Sequence, residues 1–244
     1  MFTKISWALV LAVVGALPSA AGADQASPAK PLRHLRYTAS VFVYSMHESD
    51  NYYGHFDQPA GNVTALGSID ANVVGLAPDN ALVFQVSENT DRRPAPAVKV
   101  GVLKLGQVTF DPKDAPNLND EEQALLSLLG RGVVADHDLG VNMTWSTDNS
   151  GGNVTDKTTY RVKDLVGDDQ VNLDYERDVK VSGSQPYDAV TTGTVLYDYK
   201  RSVPISAKLK QHAHSGDTNS RLTTDMSFQF DLATDSLAQA GGSN

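Results

Sequence analysis

The chain has 244 residues, no cysteine, and 29 acidic against 20 basic residues, for a formal net charge of −9. That balance argues against nucleic acid and anionic lipid surfaces as partners, because both reward a basic face. The missing cysteines exclude disulfides and thiol nucleophiles, and the length is enough to bury a core without cross-links.

Met1 to Ala23 has a short polar start with Lys4, an apolar stretch from Ile5 to Leu17, Pro18 as a breaker and a small-residue ending at Ala21-Gly22-Ala23. This is the pattern of a cleaved secretory signal peptide, and its apolar run of about 13 residues is short of the roughly 20 that a membrane span needs. No membrane insertion is expected after cleavage. Export without disulfides suits a bacterial periplasm or the extracellular medium. Residues 24–32 are polar and proline-bearing and read as a disordered lead-in; 33–232 read as a single β domain, and 233–244 as a disordered tail.

Val41-Phe42-Val43-Tyr44 is apolar on both sides, which predicts a strand covered on both faces. Tyr44, Tyr52, Tyr53, His55 and Phe56 then form an aromatic cluster able to stack on a sugar or peptide, although burial is the commoner fate of such residues.

One strand pattern occurs twice. Leu76-Ala-Pro-Asp79-Asn80-Ala-Leu82-Val-Phe84-Gln-Val86 sets a turn before an alternating run, and Leu165-Val-Gly-Asp168-Asp169-Gln-Val171-Asn-Leu173-Asp-Tyr175 repeats it. Val98, Val100 and Val102, a Gly106 turn, then Val108 and Phe110 match Gly193, Val195, Tyr197, a Lys200-Arg201-Ser202 turn, Val203 and Ile205. These copies predict two pseudo-repeats of about 35–116 and 133–232, each hiding its apolar face by curling or by packing on the other.

Between the copies lies a helix, 119–130. Asn119 can cap it, Glu122 stands at the reciprocal capping-box position, and Asp120 and Glu121 meet the positive end of the dipole. Leu125, Leu128 and Leu129 form one apolar stripe, and Gly130 stops the helix. In the final strand Leu222, Thr224, Met226, Phe228, Phe230 and Leu232 alternate with polar residues. Eleven residues span roughly 37 Å, long enough that a sheet of such strands must coil. The expected fold is therefore mainly β: two tandem antiparallel meanders forming a curled sheet or half barrel, with one inserted amphipathic helix.

Chemistry-bearing motifs are sparse. His47-Glu48 begins a zinc-protease motif, but Asn51 stands where its second histidine belongs. His212-Ala213-His214 shares a strand face, with Asp217 following, and Asp148-Asn149-Ser150-Gly151-Gly152-Asn153 with Asp156 gathers oxygen ligands; a wet strand end and an ordinary hairpin loop account for both. No serine sits in a nucleophile elbow. Catalytic residues, metal ligands and cofactors are assigned to none of these positions, and an enzyme is disfavoured.

The segment Leu118-Asn-Asp-Glu-Glu-Gln-Ala-Leu-Leu-Ser-Leu-Leu-Gly-Arg-Gly-Val-Val134, followed by Trp145 and paired β meanders, resembles a group of uncharacterised exported bacterial proteins. The resemblance implies secretion and a β-rich fold and carries no activity. The residues themselves suggest a non-enzymatic exported protein whose concave face binds a hydrophobic or lipid-like small molecule, with Leu125, Leu128, Leu129, Met226, Phe228 and Phe230 as its lining. The alternative is an envelope or extracellular structural or interaction protein, with another envelope protein as partner and no small-molecule ligand.

Overall fold

A computed structural model describes residues 31–51, 54–77, 81–91, 98–104, 107–110, 119–129, 133–134, 139–184, 186–216 and 220–237. Residues 1–30, where a signal peptide is expected, and Tyr52, Tyr53, Gly106, Gly130-Arg131-Gly132, His137 and Asp217 lie outside these residues.

The first five strands are β1 (Arg33–Asn51), β2 (Gly54–Leu76), β3 (Leu82–Thr90), β4 (Lys99–Lys104) and β5 (Gln107–Phe110). Helix α1 (Asp120–Ser127) follows, then β6 (Thr144–Asp148), β7 (Val154–Val166), β8 (Gln170–Val181), β9 (Tyr187–Asp198), β10 (Val203–Gly216) and β11 (Ser220–Asp235). The eleven strands form one sheet in the order β5-β4-β3-β2-β1-β11-β10-β9-β8-β7-β6, with neighbours antiparallel. Two meanders thus run outward from a central pairing of the first and last strands. Among the described residues β5 and β6 do not pair with each other, so the curled sheet is not closed into a barrel.

Alternation decides which face is dry. Along β11, Met226, Phe228 and Phe230 are buried while Asp225 and Gln229 are exposed, and along β8 Val171, Leu173 and Tyr175 are buried in the same rhythm. Tight hairpins keep the phase: Gly167 between β7 and β8 has φ 62°, and Ser202 between β9 and β10 has φ 57°. Coiling needs glycine where strands crowd. A Cβ on Gly193 of β9 would lie 2.1 Å from the Lys208 carbonyl oxygen of β10, so that position admits no side chain without a backbone shift.

Four expectations need correction. Val98 and Val100 are exposed, because Val100 pairs with Gln85 and therefore faces away from Phe84 and Val86, whereas Val195 and Tyr197 point inward opposite Leu173 and Val171. A one-residue difference in phase is enough to invert a strand. Phe42 is exposed rather than covered, since β1 turns Val41 inward and Phe42 outward. The final strand continues through Ala233 and Thr234 to Asp235, which is buried, so 233–235 belong to the sheet and not to a tail. The helix is shorter than 119–130, with Leu128 as its C-cap.

Candidate functional site

The concave face of the sheet and α1 enclose one apolar cluster. Local chemistry places the helix: the Glu122 carboxylate accepts the Asn119 backbone N–H at 3.1 Å, fixing the first turn as the sequence suggests. The Asn119 side chain, however, turns to Glu88 on β3, whose other oxygen accepts the Thr90 hydroxyl at 2.6 Å. This buried polar knot ties the start of the helix to the sheet. Beyond the helix, the Trp145 indole N–H donates to the Val133 carbonyl at 2.8 Å, fastening the segment that leads into β6. The helix body itself is held by side-chain packing, with the Ser127 hydroxyl within 3.5 Å of the Tyr175 hydroxyl.

All six residues expected to line the hollow meet there. Leu125, Leu128 and Phe230 are 0% exposed, Phe228 2%, and Leu129 and Met226 6%. Leu126 and Glu122 are also fully buried and Glu121 and Ala124 are buried, while Asp120 is exposed and Gln123 and Ser127 are half-buried, so α1 is sunk into the hollow with only a narrow wetter face. Stripe counting along the helix picks out Leu125, Leu128 and Leu129 and passes over Leu126, because it assumes one dry side.

Aromatic residues form the other wall. Trp145 stacks on Tyr160 at 5.6 Å between ring centroids, Tyr160 meets Tyr175 edge-on at 5.7 Å, and Phe228 stacks on Phe230 at 6.2 Å. Burial pushes the phenols of Tyr160, Tyr175 and Tyr197 upward, which keeps them neutral across the physiological range. Near this wall Arg177 grips Asp156 through two bonds of 2.9 and 2.8 Å. Asp156 is thereby committed to the inside and does not join Asp148, whose carboxylate accepts the Ser150 N–H at 2.9 Å in the hairpin loop. The loop is an ordinary Asx turn.

The outer face differs in kind. A groove of about 410 Å³ there is lined by Phe42, Thr192, Thr194, Lys208, Lys210 and Gln229. His55 and Phe56 are exposed near the start of β2 and Tyr44 is half-buried, so these described members of the aromatic cluster are not buried core. Among the described residues no group of three or more His, Cys, Asp or Glu side chains gathers as a metal site, and no helix is long and apolar enough to cross a membrane.

No family model matches the chain, and no curated protein matches it. Among solved structures the chain is similar to one described as "Lipid-protein interactions in lipovitellin", with a TM-score of 0.45 and 12% identity over 85% of this chain. The match covers 26% of the other chain, so this protein spans about a quarter of that protein's length.

Proposed function

We propose that this is an exported, non-enzymatic protein that binds a hydrophobic or lipid-like molecule on the concave face of its sheet, beneath α1 as a displaceable cover. One observation carries the reading: α1 belongs to the connection between β5 and β6, the two edge strands. A cover threaded between two edges that do not pair with each other can swing out without breaking a strand pairing, and Met226, Phe228 and Phe230 belong to the buried cluster that the helix leucines join.

Magnitudes narrow the ligand. Four leucines leaving the hollow lose about 6–12 kcal/mol of burial, at roughly 1.5–3 kcal/mol each. A ligand displaces the helix only by replacing that contact, and at about 0.8 kcal/mol per buried methylene this takes an acyl chain of roughly eight to fifteen carbons. A small polar metabolite cannot do it.

The rival reading, a structural or interaction protein whose hollow is simply core, draws support from the same burial: Leu125, Leu126 and Leu128 are already fully dry against the sheet. Quenching of Trp145 separates the two. Trp145 and Trp7 are the chain's tryptophans, and Trp7 falls in the segment expected to be cleaved. A fatty acid brominated along its chain should quench Trp145 saturably at a 1:1 ratio. Binding without quenching, or no saturable binding, favours the interaction protein.

A further inference from the structure

The outer face carries a second arrangement unrelated to the hollow. His212 and His214 lie two residues apart on β10 and face the same way, with their rings 4.5 Å apart and nearly perpendicular and their Nε2 atoms 3.0 Å apart. Both Nδ1 atoms are already engaged. His212 Nδ1 lies 2.6 Å from the Asp225 carboxylate, its cross-strand partner on β11. His214 Nδ1 lies 2.9 Å from the Thr223 hydroxyl, which in turn donates to Glu48 of β1 at 2.5 Å.

These partners fix the tautomers. A carboxylate can only accept, so His212 carries its hydrogen on Nδ1. The Thr223 proton is directed at Glu48, so its oxygen accepts from His214, which also carries hydrogen on Nδ1. Both Nε2 lone pairs then converge on the same space. Two lone pairs at 3.0 Å repel unless a cation lies between them. Around a tetrahedral metal with bonds of 2.0–2.1 Å, two nitrogen ligands sit about 3.3 Å apart, a small adjustment from what is seen. An imidazole held through Nδ1–H by a carboxylate or hydroxyl while Nε2 stays free is also the usual outer support of a metal-bound histidine.

We propose that His212 and His214 bind a divalent transition-metal ion through their Nε2 atoms, with water completing its coordination. Imidazole pairs select copper, zinc and nickel over calcium and magnesium. Half the side-chain surface of His212 is open, leaving room for waters or a further ligand. Asp225, Thr223 and Glu48 are positioning residues, since they act through the rings.

The test uses the untagged full-length protein, stripped with chelator and titrated with Zn²⁺ by calorimetry and with Cu²⁺ by electron paramagnetic resonance. We expect one site of micromolar affinity and a Cu²⁺ spectrum with coupling to two imidazole nitrogens. His212→Ala should weaken binding tenfold or more, and Asp225→Asn, which keeps the side-chain shape, about tenfold. Binding unchanged in the His212→Ala, His214→Ala double variant, or absent up to millimolar metal, overturns the proposal; the second result means that a proton alone bridges the rings. The site lies on the opposite face from the hollow, so this outcome and that of the fatty-acid experiment are independent.

Discussion

Arg33 and Asp235 stand 202 positions apart in sequence and meet through two parallel bonds, Nε to Oδ1 at 3.0 Å and Nη2 to Oδ2 at 2.8 Å. The pair closes the seam between the first and last strands. Arg201 joins from the β9–β10 turn, bonding Asp198 at 2.7 Å and Asp235 at 3.2 Å, while Arg33 also donates to the Arg201 carbonyl at 2.7 Å. Two arginines and two buried carboxylates thus hold three strand ends together. Asp235→Ala leaves Arg33 without its carboxylate partner and should lower stability by about 3 kcal/mol, read as a shift of the denaturant midpoint. A change below about 0.5 kcal/mol would show that the pair contributes little.

The same carboxylate makes stability depend on pH. Burial pushes the Asp235 pKa up, but the Arg33 bond, the Leu237 N–H and the charges of Arg33 and Arg201 outweigh it and leave the group below its ordinary value of 3.8. A depressed folded pKa contributes stability that is present above the unfolded value and lost as pH falls through the folded one. Stability should therefore decline below about pH 4, and Asp235→Asn should flatten that part of the curve. An equal decline in the variant assigns the effect to other groups.

At Gly193 the limit is steric. A methyl group there meets the Lys208 carbonyl oxygen and the Leu209 Cα, both backbone atoms, so Gly193→Ala must push β9 and β10 apart. A loss of about 2 kcal/mol or more is expected in thermal or chemical unfolding. A neutral effect would mean that the coil relaxes freely at this point.

Trp145→Phe keeps the aromatic stack on Tyr160 but removes the N–H that holds the Val133 carbonyl. A loss of roughly 1–2 kcal/mol is expected, together with faster amide exchange in α1, because the fastening of the cover is weakened. Equal exchange in α1 would show that packing alone secures it.

Much of the fold is legible in the sequence because alternation speaks directly about faces. Met226, Phe228 and Phe230 announce an inward row, and Asn119 with Glu122 announces the helix start. What stays hidden depends on register and on tertiary packing. Val100 and Val195 look equivalent in sequence yet face opposite ways, because the phase of β4 against β3 is set by pairing and not by composition. Leu126 and Asp235 become buried only through elements distant in the chain. The histidine pair is visible as a motif, but its partners Asp225, Thr223 and Glu48 come from β11 and β1, and only the pairing of β10 with β11 and of β11 with β1 brings them there.

The most direct measurement is hydrogen exchange over residues 119–129 with and without a saturating sixteen-carbon fatty acid. Displacement of α1 from the hollow requires its amides to exchange faster with the fatty acid bound, while those of β8 and β11 stay protected. Unchanged or slower exchange in α1 at a saturated, Trp145-quenching site would contradict a displaceable cover.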